Sequence, residues 1–371
     1  MGKYGKHRTI DLNPLHYNIG LLGESGVGKS TICKEICEKL VGRDGYLALD
    51  IGREDGHKAI NDINSETVED WTKFTDVVDD IVENKETDYP DLKVVVIDTY
   101  DELCYLAEKE VIRLSKKAGK PADSINAAFG GYGRGQEKVI DLILDKLWEL
   151  KSVGVCFIVV AHVKRTDVDD IMSEEKYTIL TASTSQKYFN AIKNKLDFLG
   201  MAYIDRDIVK EKTGKKGFDG KEKVRGKISG ESRIINFRDD TYSLDSKSRF
   251  SGIVDRIPFD ADEFIKAMKD AMLLEAEKAG RSPAEMKKLQ EETEMKLAEE
   301  YSKASQKAKE EKEDSLNAGA YFAEIQKLFS SASVEAKTNA KKLLNDAGFM
   351  KFSDSEIPAS LLKEIAESLK E

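Results

Sequence analysis

The sequence has few cysteines and no long apolar run, and both absences exclude classes of protein. Its four cysteines lack the C-x-x-C spacing of zinc and redox sites, so we expect reduced residues in the core. No apolar run approaches the roughly 20 residues that cross a bilayer. The N-terminal segment, residues 1–6, also lacks the apolar centre of a signal peptide. We therefore expect a cytoplasmic protein without a membrane partner.

Acidic residues outnumber basic ones, with 69 Asp and Glu against 59 Lys and Arg, so the net charge is −10. This balance argues against a nucleic acid as ligand, because contacts of Lys and Arg with phosphates dominate such affinity. Residues 205–233 are an exception, with ten Lys or Arg and six Asp or Glu. Two interpretations of this segment stay open: an electrostatic groove for a nucleic acid, or an excursion that only aids solubility.

One octapeptide, residues 23–30, matches the phosphate-binding pattern G-x-x-x-x-G-K-[ST] at every fixed position. Its glycines allow backbone angles that turn successive N–H groups toward phosphate oxygens. A predicted strand precedes the octapeptide and a predicted helix, residues 31–40, follows it, so the helix N-terminus points at the phosphates. The residues expected to bind a nucleotide are Gly23, Glu24, Ser25, Gly26, Val27, Gly28, Lys29, Ser30 and Thr31.

The same pattern predicts the cofactors, ATP and Mg²⁺. Lys29 should neutralise the β and γ phosphates, and the Ser30 hydroxyl should ligate Mg²⁺. The apolar run at residues 94–97 predicts a strand buried on both faces, and Asp98 at its end should hold the same ion through water. Many AAA+ ATPases have a catalytic Glu directly after this Asp, whereas Thr99 follows here. The general base of a hydrolase must therefore lie elsewhere in the chain.

Glu54 is the candidate base. It follows the second predicted strand in a loop bracketed by glycines, at the sheet edge where ligands of such folds bind. There it should orient and deprotonate the attacking water, and Asp50 and Asp55 are alternatives. His162 follows the fourth predicted strand. We expect its side chain to reach the γ-phosphate and to sense the loss of that group.

Strand-like and helical segments alternate in the first part of the chain, which predicts the α/β class with a mainly parallel sheet flanked by helices. The predicted strands are residues 17–22, 45–50, 93–98, 154–161 and 197–204, followed by a hairpin of residues 233–237 and 241–244. Beyond them only helices are expected, at residues 262–278, 283–314, 320–329, 334–346 and 358–369. We divide the chain into an ATPase core (1–257), a helical arm or linker (258–316) and a small C-terminal helical module (317–371).

The order of these motifs resembles the RecA-like recombinase core, and more closely the compact phage RecA-like ATPases of the Sak type. The resembling motifs are Asp55-Gly56, residues 161–164 and residues 246–250, and the resemblance covers residues 10–255. It implies a RecA-like P-loop NTPase fold with an α-helical C-terminal extension. It further implies an ATPase that binds single-stranded DNA and promotes annealing and recombination, in the host cytoplasm if a phage encodes it.

The resemblance also implies a homo-oligomer, a ring or a filament, with the nucleotide between subunits. Cationic side chains of a neighbouring subunit complete the site in such assemblies, and Lys247 and Arg249 match those positions. These two residues are therefore candidates to neutralise transition-state charge on the adjacent nucleotide.

RecA-like proteins grip single-stranded DNA with two loops. The first corresponds to residues 119–136, where Phe129, Tyr132 and Arg134 are interleaved with glycines, as stacking on unpaired bases requires. The second corresponds to residues 164–180 and begins with Lys164-Arg165, although acidic residues interrupt it.

Two other functions stay open. A RecA-type core also drives helicases and helicase loaders, in which case the helical tail is a docking arm. Alternatively, the nucleotide gates a module with little hydrolysis, whose C-terminal helices bind a partner such as a single-strand-binding protein. A helicase unwinds a tailed duplex with ATP, whereas an annealing protein does not, so an unwinding assay separates the first alternative.

We predict that Glu54→Gln retains ATP binding but stops hydrolysis, because an amide cannot accept the proton of the attacking water. Phosphate release measures turnover, and a fluorescent ATP analogue measures binding. Asp50→Asn and Asp55→Asn are the comparison variants, since both carboxylates are alternatives for the same role. Normal turnover by the Glu54 variant reassigns the base.

Overall fold

The computed structural model describes residues 10–53, 56–169, 176–216, 222–238, 247–278, 283–352 and 357–370. Within these ranges the strands are β1 (Ile19–Gly23), β2 (Tyr46–Ile51), β3 (Ser65–Val68), β4 (Val94–Asp98), β5 (Cys156–Asp169), β6 (Lys176–Ala182), β7 (Phe198–Lys216), β8 (Glu222–Asn236), β9 (Lys247–Ser248) and β10 (Arg256–Pro258). The α-helices are α1 (Lys29–Val41), α2 (Trp71–Glu83), α3 (Tyr100–Lys117), α4 (Arg134–Ser152), α5 (Gln186–Lys193), α6 (Ala261–Lys278), α7 (Pro283–Ser331), α8 (Val334–Asp346) and α9 (Ala359–Ser368).

The strands form one sheet in the order β10-β8-β7-β1-β5-β4-β2-β3, with β6 paired to β5 and β9 paired to β7. The six strands from β7 to β3 pair in parallel. Gly23 is level with His162, and Asp50 is level with Asp98. The predicted α/β class with a mainly parallel sheet and flanking helices is confirmed. Its register brings the ends of four predicted strands to one edge, here called the carboxyl edge.

Two hydrophobic cores lie on opposite faces of the sheet, because successive side chains of a strand point to opposite sides. In β4, Val94 and Val96 belong to the core that includes residues of α1 and α6. Val95 and Ile97 belong to the other core, which includes residues of α2, α3, α4 and α5. The continuous apolar run of β4 is thus buried on both faces, as its sequence predicts.

Two long hairpins extend past the carboxyl edge, on either side of β1. β5 continues from His162 to Asp169 and pairs antiparallel with β6, and β7 continues to Lys216 and pairs antiparallel with β8. The prediction of short strands ending at residues 161 and 204 is wrong, because the extensions are polar and lack the apolar run of a buried strand. The second predicted DNA loop is therefore a β-hairpin in its described part.

A hairpin of residues 233–237 and 241–244 was predicted. The structure describes its first strand, whereas residues 241–244 lie outside the described ranges. Residues 233–236 belong to β8, whose strand partners are β7 and β10. The prediction also missed β3, a short polar strand at the edge of the sheet.

The helical region differs from the predicted arm in two ways. Phe264, Met268 and Met272 of α6 are buried in the core beside α1, so packing joins α6 to the ATPase core beyond residue 257. The boundary at residue 316 falls inside α7, which is one continuous helix of 49 residues. Gly319 does not end it, because a single helical glycine costs only about 1 kcal/mol relative to Ala.

The end of α7 forms a small separate core with α8 and α9. Ile325 packs there with Leu344 and Ile365. The predicted helix at residues 334–346 is confirmed, and the Ser333 hydroxyl caps it by accepting a hydrogen bond from the Ala336 N–H at 3.0 Å. A small helical module is therefore present at the C-terminal end of the described chain.

The middle of α7 is docked on the ATPase core. The buried Ser305 hydroxyl donates to the carbonyl oxygen of Val82 at 2.8 Å. The ring of Tyr301 lies against Gly154, where an added Cβ would be 2.6 Å from its Cδ2 atom. In the described part of the chain, no helix is long and apolar enough to cross a membrane.

We predict that Gly154→Ala destabilises the protein by about 1–3 kcal/mol more than Gly119→Ala, because only the first substitution overpacks a neighbour. Both glycines have a positive φ, 79° and 72°, but an added Cβ at Gly119 meets nothing within 4 Å. Gly119→Ala thus controls for backbone strain. Denaturant unfolding measures both variants, and equal losses would contradict the docking of α7 at this position.

Candidate active site

The phosphate loop connects β1 to α1 and wraps around the Lys29 side chain. Gly28 has a φ of 104°, a left-handed conformation that favours glycine, and occupies the N-cap position of α1. The Lys29 ammonium is buried and donates to the carbonyl oxygens of Gly23 and Glu24, both at 3.1 Å. Gly28 has no side chain to cap the helix, so the first N–H groups of α1 are available to an anion.

Asp98 lies beside the phosphate loop, as predicted. The Ser30 hydroxyl donates to Oδ2 of Asp98 at 2.5 Å. Asp98 is only 5% exposed and sits at the end of β4, level with Asp50. A hydroxyl and a carboxylate are oxygen ligands of the kind that Mg²⁺ prefers. The two side chains would therefore suit Mg²⁺, and their roles as its ligands stay a prediction.

His57 also contacts Asp98, and the sequence interpretation missed it. Its Nε2 atom lies 3.0 Å from the same Oδ2 atom, and both side chains are buried. His57 follows Gly56 in the loop after β2, three residues beyond Glu54. The position of His57 in this loop could have indicated a role in the site. The sequence alone does not reveal its contact with Asp98, which lies 41 residues further along the chain.

The predicted general base lies outside the described residues, as does Asp55. Glu54 therefore stays a prediction. The neighbouring Arg53 N–H donates to Oε2 of Glu102 at 3.3 Å. Glu102 is on the first turn of α3, directly after the strand that carries Asp98. A second carboxylate missed by sequence reasoning thus lies beside the loop that contains Glu54.

His162 lies next to the phosphate loop in the sheet, since it is level with Gly23. Its backbone N–H donates to Oδ2 of Asp101 at 2.8 Å, and its ring Nδ1 lies 3.7 Å from that oxygen. Asp101 is on the first turn of α3. A hydrogen bond thus ties β5 to the helix that follows Asp98.

Lys247 and Arg249 lie near the amino ends of the parallel strands, whereas the phosphate loop of the same chain lies at the carboxyl edge. Lys247 is level with Leu199, near the start of β7. Its ammonium donates to the carbonyl oxygen of Lys193, and Arg249 donates to that of Asn194, both at 2.8 Å. Burial, and next the charge of Arg249, lower the pKa of Lys247. A role of both residues in a neighbouring subunit stays a prediction.

The residues predicted for the first DNA loop differ in exposure. Phe129 is half-buried and packs against the core, whereas Tyr132 is 97% exposed. Arg134 is exposed at the start of α4. Lys187, in the first turn of α5, donates to the carbonyl oxygen of Gly133 at 3.3 Å. Because α5 follows β6, this contact places the loop beside the base of the β5–β6 hairpin.

Lys164 and Arg165 are exposed on the β5–β6 hairpin, two and three residues past His162. The Lys164 ammonium donates to the carbonyl oxygen of Ser183 at 2.9 Å. Asp167 on the same strand accepts a hydrogen bond from the Thr178 hydroxyl. The cations predicted to contact DNA therefore lie on the carboxyl-edge side, together with an acidic residue.

Residues 16–250 match the family model that is described as an AAA domain. No curated protein matches the chain. The matched segment covers well over half of the chain and contains the phosphate loop, Asp98 and His162. Thr99 stands in it where many AAA+ ATPases have their catalytic Glu.

We predict that His57→Ala weakens Mg²⁺-dependent nucleotide binding about tenfold, because loss of a partner that orients a metal-holding carboxylate costs 10–100-fold, roughly, in metal sites. A Mg²⁺ titration of nucleotide binding measures the effect. His16→Ala is the matched control, since His16 also pairs with a carboxylate, that of Asp11, outside this site. Equal Mg²⁺ dependence of the two variants would contradict the role of His57.

Proposed function

The chain belongs to the AAA domain family of P-loop ATPases, and we propose that it is a Mg²⁺-dependent ATPase that binds single-stranded DNA and promotes its annealing or recombination. Nucleotide binding follows from the family and from the conformation of the phosphate loop. The observation that carries the DNA-binding part is Tyr132, whose ring is 97% exposed in a glycine-rich loop.

The residues around the phosphate loop have distinct roles in the proposed reaction. Lys29 and the first N–H groups of α1 hold the phosphates. Ser30 and Asp98 would hold Mg²⁺, which neutralises phosphate charge when it is bound. His57 orients the Asp98 carboxylate through their 3.0 Å contact. Glu54 takes the proton of the attacking water, with Glu102 beside its loop.

Tyr132 is suited to contact unpaired bases. Its φ is 55°, and Gly131 and Gly133 on either side also have positive φ. This local conformation presents the tyrosine ring to solvent, where single-stranded bases stack without sequence preference. Arg134 adds a cation two residues later, which supports attraction of the phosphate backbone.

The position of Lys247 and Arg249 supports an assembly with the nucleotide between subunits. Their sheet edge is opposite to that of the phosphate loop. In a head-to-tail assembly, this edge of one subunit approaches the phosphate loop of the next. Such heterologous contacts generate rings when the rotation closes and filaments when it does not.

A second candidate function is binding of a partner protein by the C-terminal helical module. Val334 and Met350 are exposed there, by 83% and 92%. Apolar side chains in such positions favour a binding surface when they form a patch. Removal of the module would then abolish partner capture and leave DNA-stimulated ATP hydrolysis unchanged.

We predict that Tyr132→Ala weakens binding of single-stranded DNA by about 5- to 150-fold, because stacking on one base is worth about 1–3 kcal/mol. Stimulation of ATP hydrolysis by DNA should decline with it, at unchanged basal turnover. Fluorescence anisotropy of a labelled oligonucleotide and phosphate release measure the two effects.

The matched control for this experiment is Tyr105→Ala, since Tyr105 is 41% exposed on α3 outside the loop. Equal DNA affinity of the two tyrosine variants would remove the loop from the DNA site. No DNA binding by the unaltered protein would refute the DNA part of the proposed function. The AAA family membership would be unaffected.

A further inference from the structure

A second cation lies at the phosphate loop, besides Lys29, and it comes from the β7–β8 hairpin. A Cβ atom built on Gly28 would lie 3.6 Å from Nη1 of Arg233. It would also lie 3.3 Å from Cε1 of Phe259. Gly28 directly precedes Lys29 and begins α1, so the Arg233 guanidinium is next to the N–H groups that face an anion.

The strand pattern explains why Arg233 reaches this position. Ile235 and Phe237 are buried in the core that includes residues of α1. Arg233 has the same parity, and side chains at every second position of a strand share a face. Arg233 is level with Ile204, two residues past Ala202, which is level with Gly23. The side chain therefore lies on the α1 face, beyond the carboxyl edge and over the loop.

The backbone around Arg233 is held in place by the chain that follows β10. The Phe259 N–H donates to the carbonyl oxygen of Arg233 at 3.0 Å. The half-buried Phe259 ring packs on the core that contains α1 and α6. Arg233 is thus at a fixed point of the hairpin, at its junction with the core.

Arg233 differs from two other arginines, Arg206 and Arg256, in its ion pairing. Arg206 pairs with Glu231 at 3.8 Å and Arg256 pairs with Asp205 at 3.7 Å, whereas Arg233 forms no ion pair with any described residue. The Arg233 guanidinium therefore adds positive charge beside Gly28, at the N-terminus of α1, and this charge attracts an anion. Phosphate is the anion whose geometry a guanidinium matches with two hydrogen bonds.

We propose that Arg233 binds the phosphates of the nucleotide from within the same chain. This inference rests on the proposed nucleotide binding. The backbone N–H groups of a phosphate loop cradle the α and β phosphates, and Arg233 lies at Gly28 of that loop. Its ligand is therefore a nucleoside diphosphate or triphosphate, bound through groups that ADP and ATP share. Lys247 and Arg249, at the opposite edge, would act only from a neighbouring subunit.

The test compares Arg233→Gln with Arg206→Gln, two substitutions of arginines on the same hairpin. Binding of fluorescent ADP and fluorescent ATP is measured with Mg²⁺ present, and thermal unfolding verifies that both variants are folded. We expect Arg233→Gln to weaken both nucleotides about tenfold, the loss typical of one hydrogen bond to a charged group. Arg206→Gln should bind both as the unaltered protein does.

Each of the other outcomes would contradict either the role of Arg233 or the proposed function. Unchanged affinity of Arg233→Gln overturns the inference and leaves the proposed function intact. A loss confined to ATP overturns the assignment to shared phosphates, since only the γ-phosphate distinguishes the two ligands. Equal losses in both variants refute a specific contact and indicate a general effect of hairpin charge. Failure of the unaltered protein to bind either nucleotide refutes the proposed function itself.

Discussion

The parallel pairing of β1 with β5 on one side and β7 on the other is the constraint on which the rest of the structure depends. It sets Gly23 level with both His162 and Ala202. Both neighbours continue as hairpins, so the phosphate loop lies between two polar extensions of its own sheet. A slip of one residue would turn every side chain of a strand to the opposite face. The buried residues of both cores thus fix the register and, with it, the site.

The two buried charged side chains of the site, Lys29 and Asp98, both have polar contacts. Burial of a charge without partners costs far more than burial of a hydrogen-bonded one. Asp98 accepts from Ser30 and contacts His57, and Lys29 donates to two carbonyl oxygens of its loop. In the proposed reaction, the same side chains would hold the phosphates and Mg²⁺. Similar groups in an apolar core would instead be driven to their neutral forms.

The sequence predicted those parts of the fold that depend on local patterns. The apolar run at residues 94–97 predicted the buried strand β4, and the helical pattern of residues 334–346 predicted α8. The hairpin extensions of β5 and β7 were not predicted, because they are stabilised by pairing with β6 and β8 and not by a local pattern of their own. His57, Glu102 and Arg233 escaped for the same reason: their partners are set by sheet register and helix packing. The phosphate loop was predictable because one continuous segment makes it.

In the proposed function, His162 lies between the nucleotide site and the hairpin that is predicted to contact DNA. The residue belongs to the part of β5 that lies in the sheet, and Val163 already pairs with β6 in the hairpin. Its backbone N–H donates to Asp101, on the helix that follows Asp98. A movement of α3 relative to β5 would therefore act on this hydrogen bond, at the base of the hairpin that carries Lys164 and Arg165. Since coupling free energy is reciprocal, DNA that favours one position of the hairpin must also favour one state of the nucleotide site.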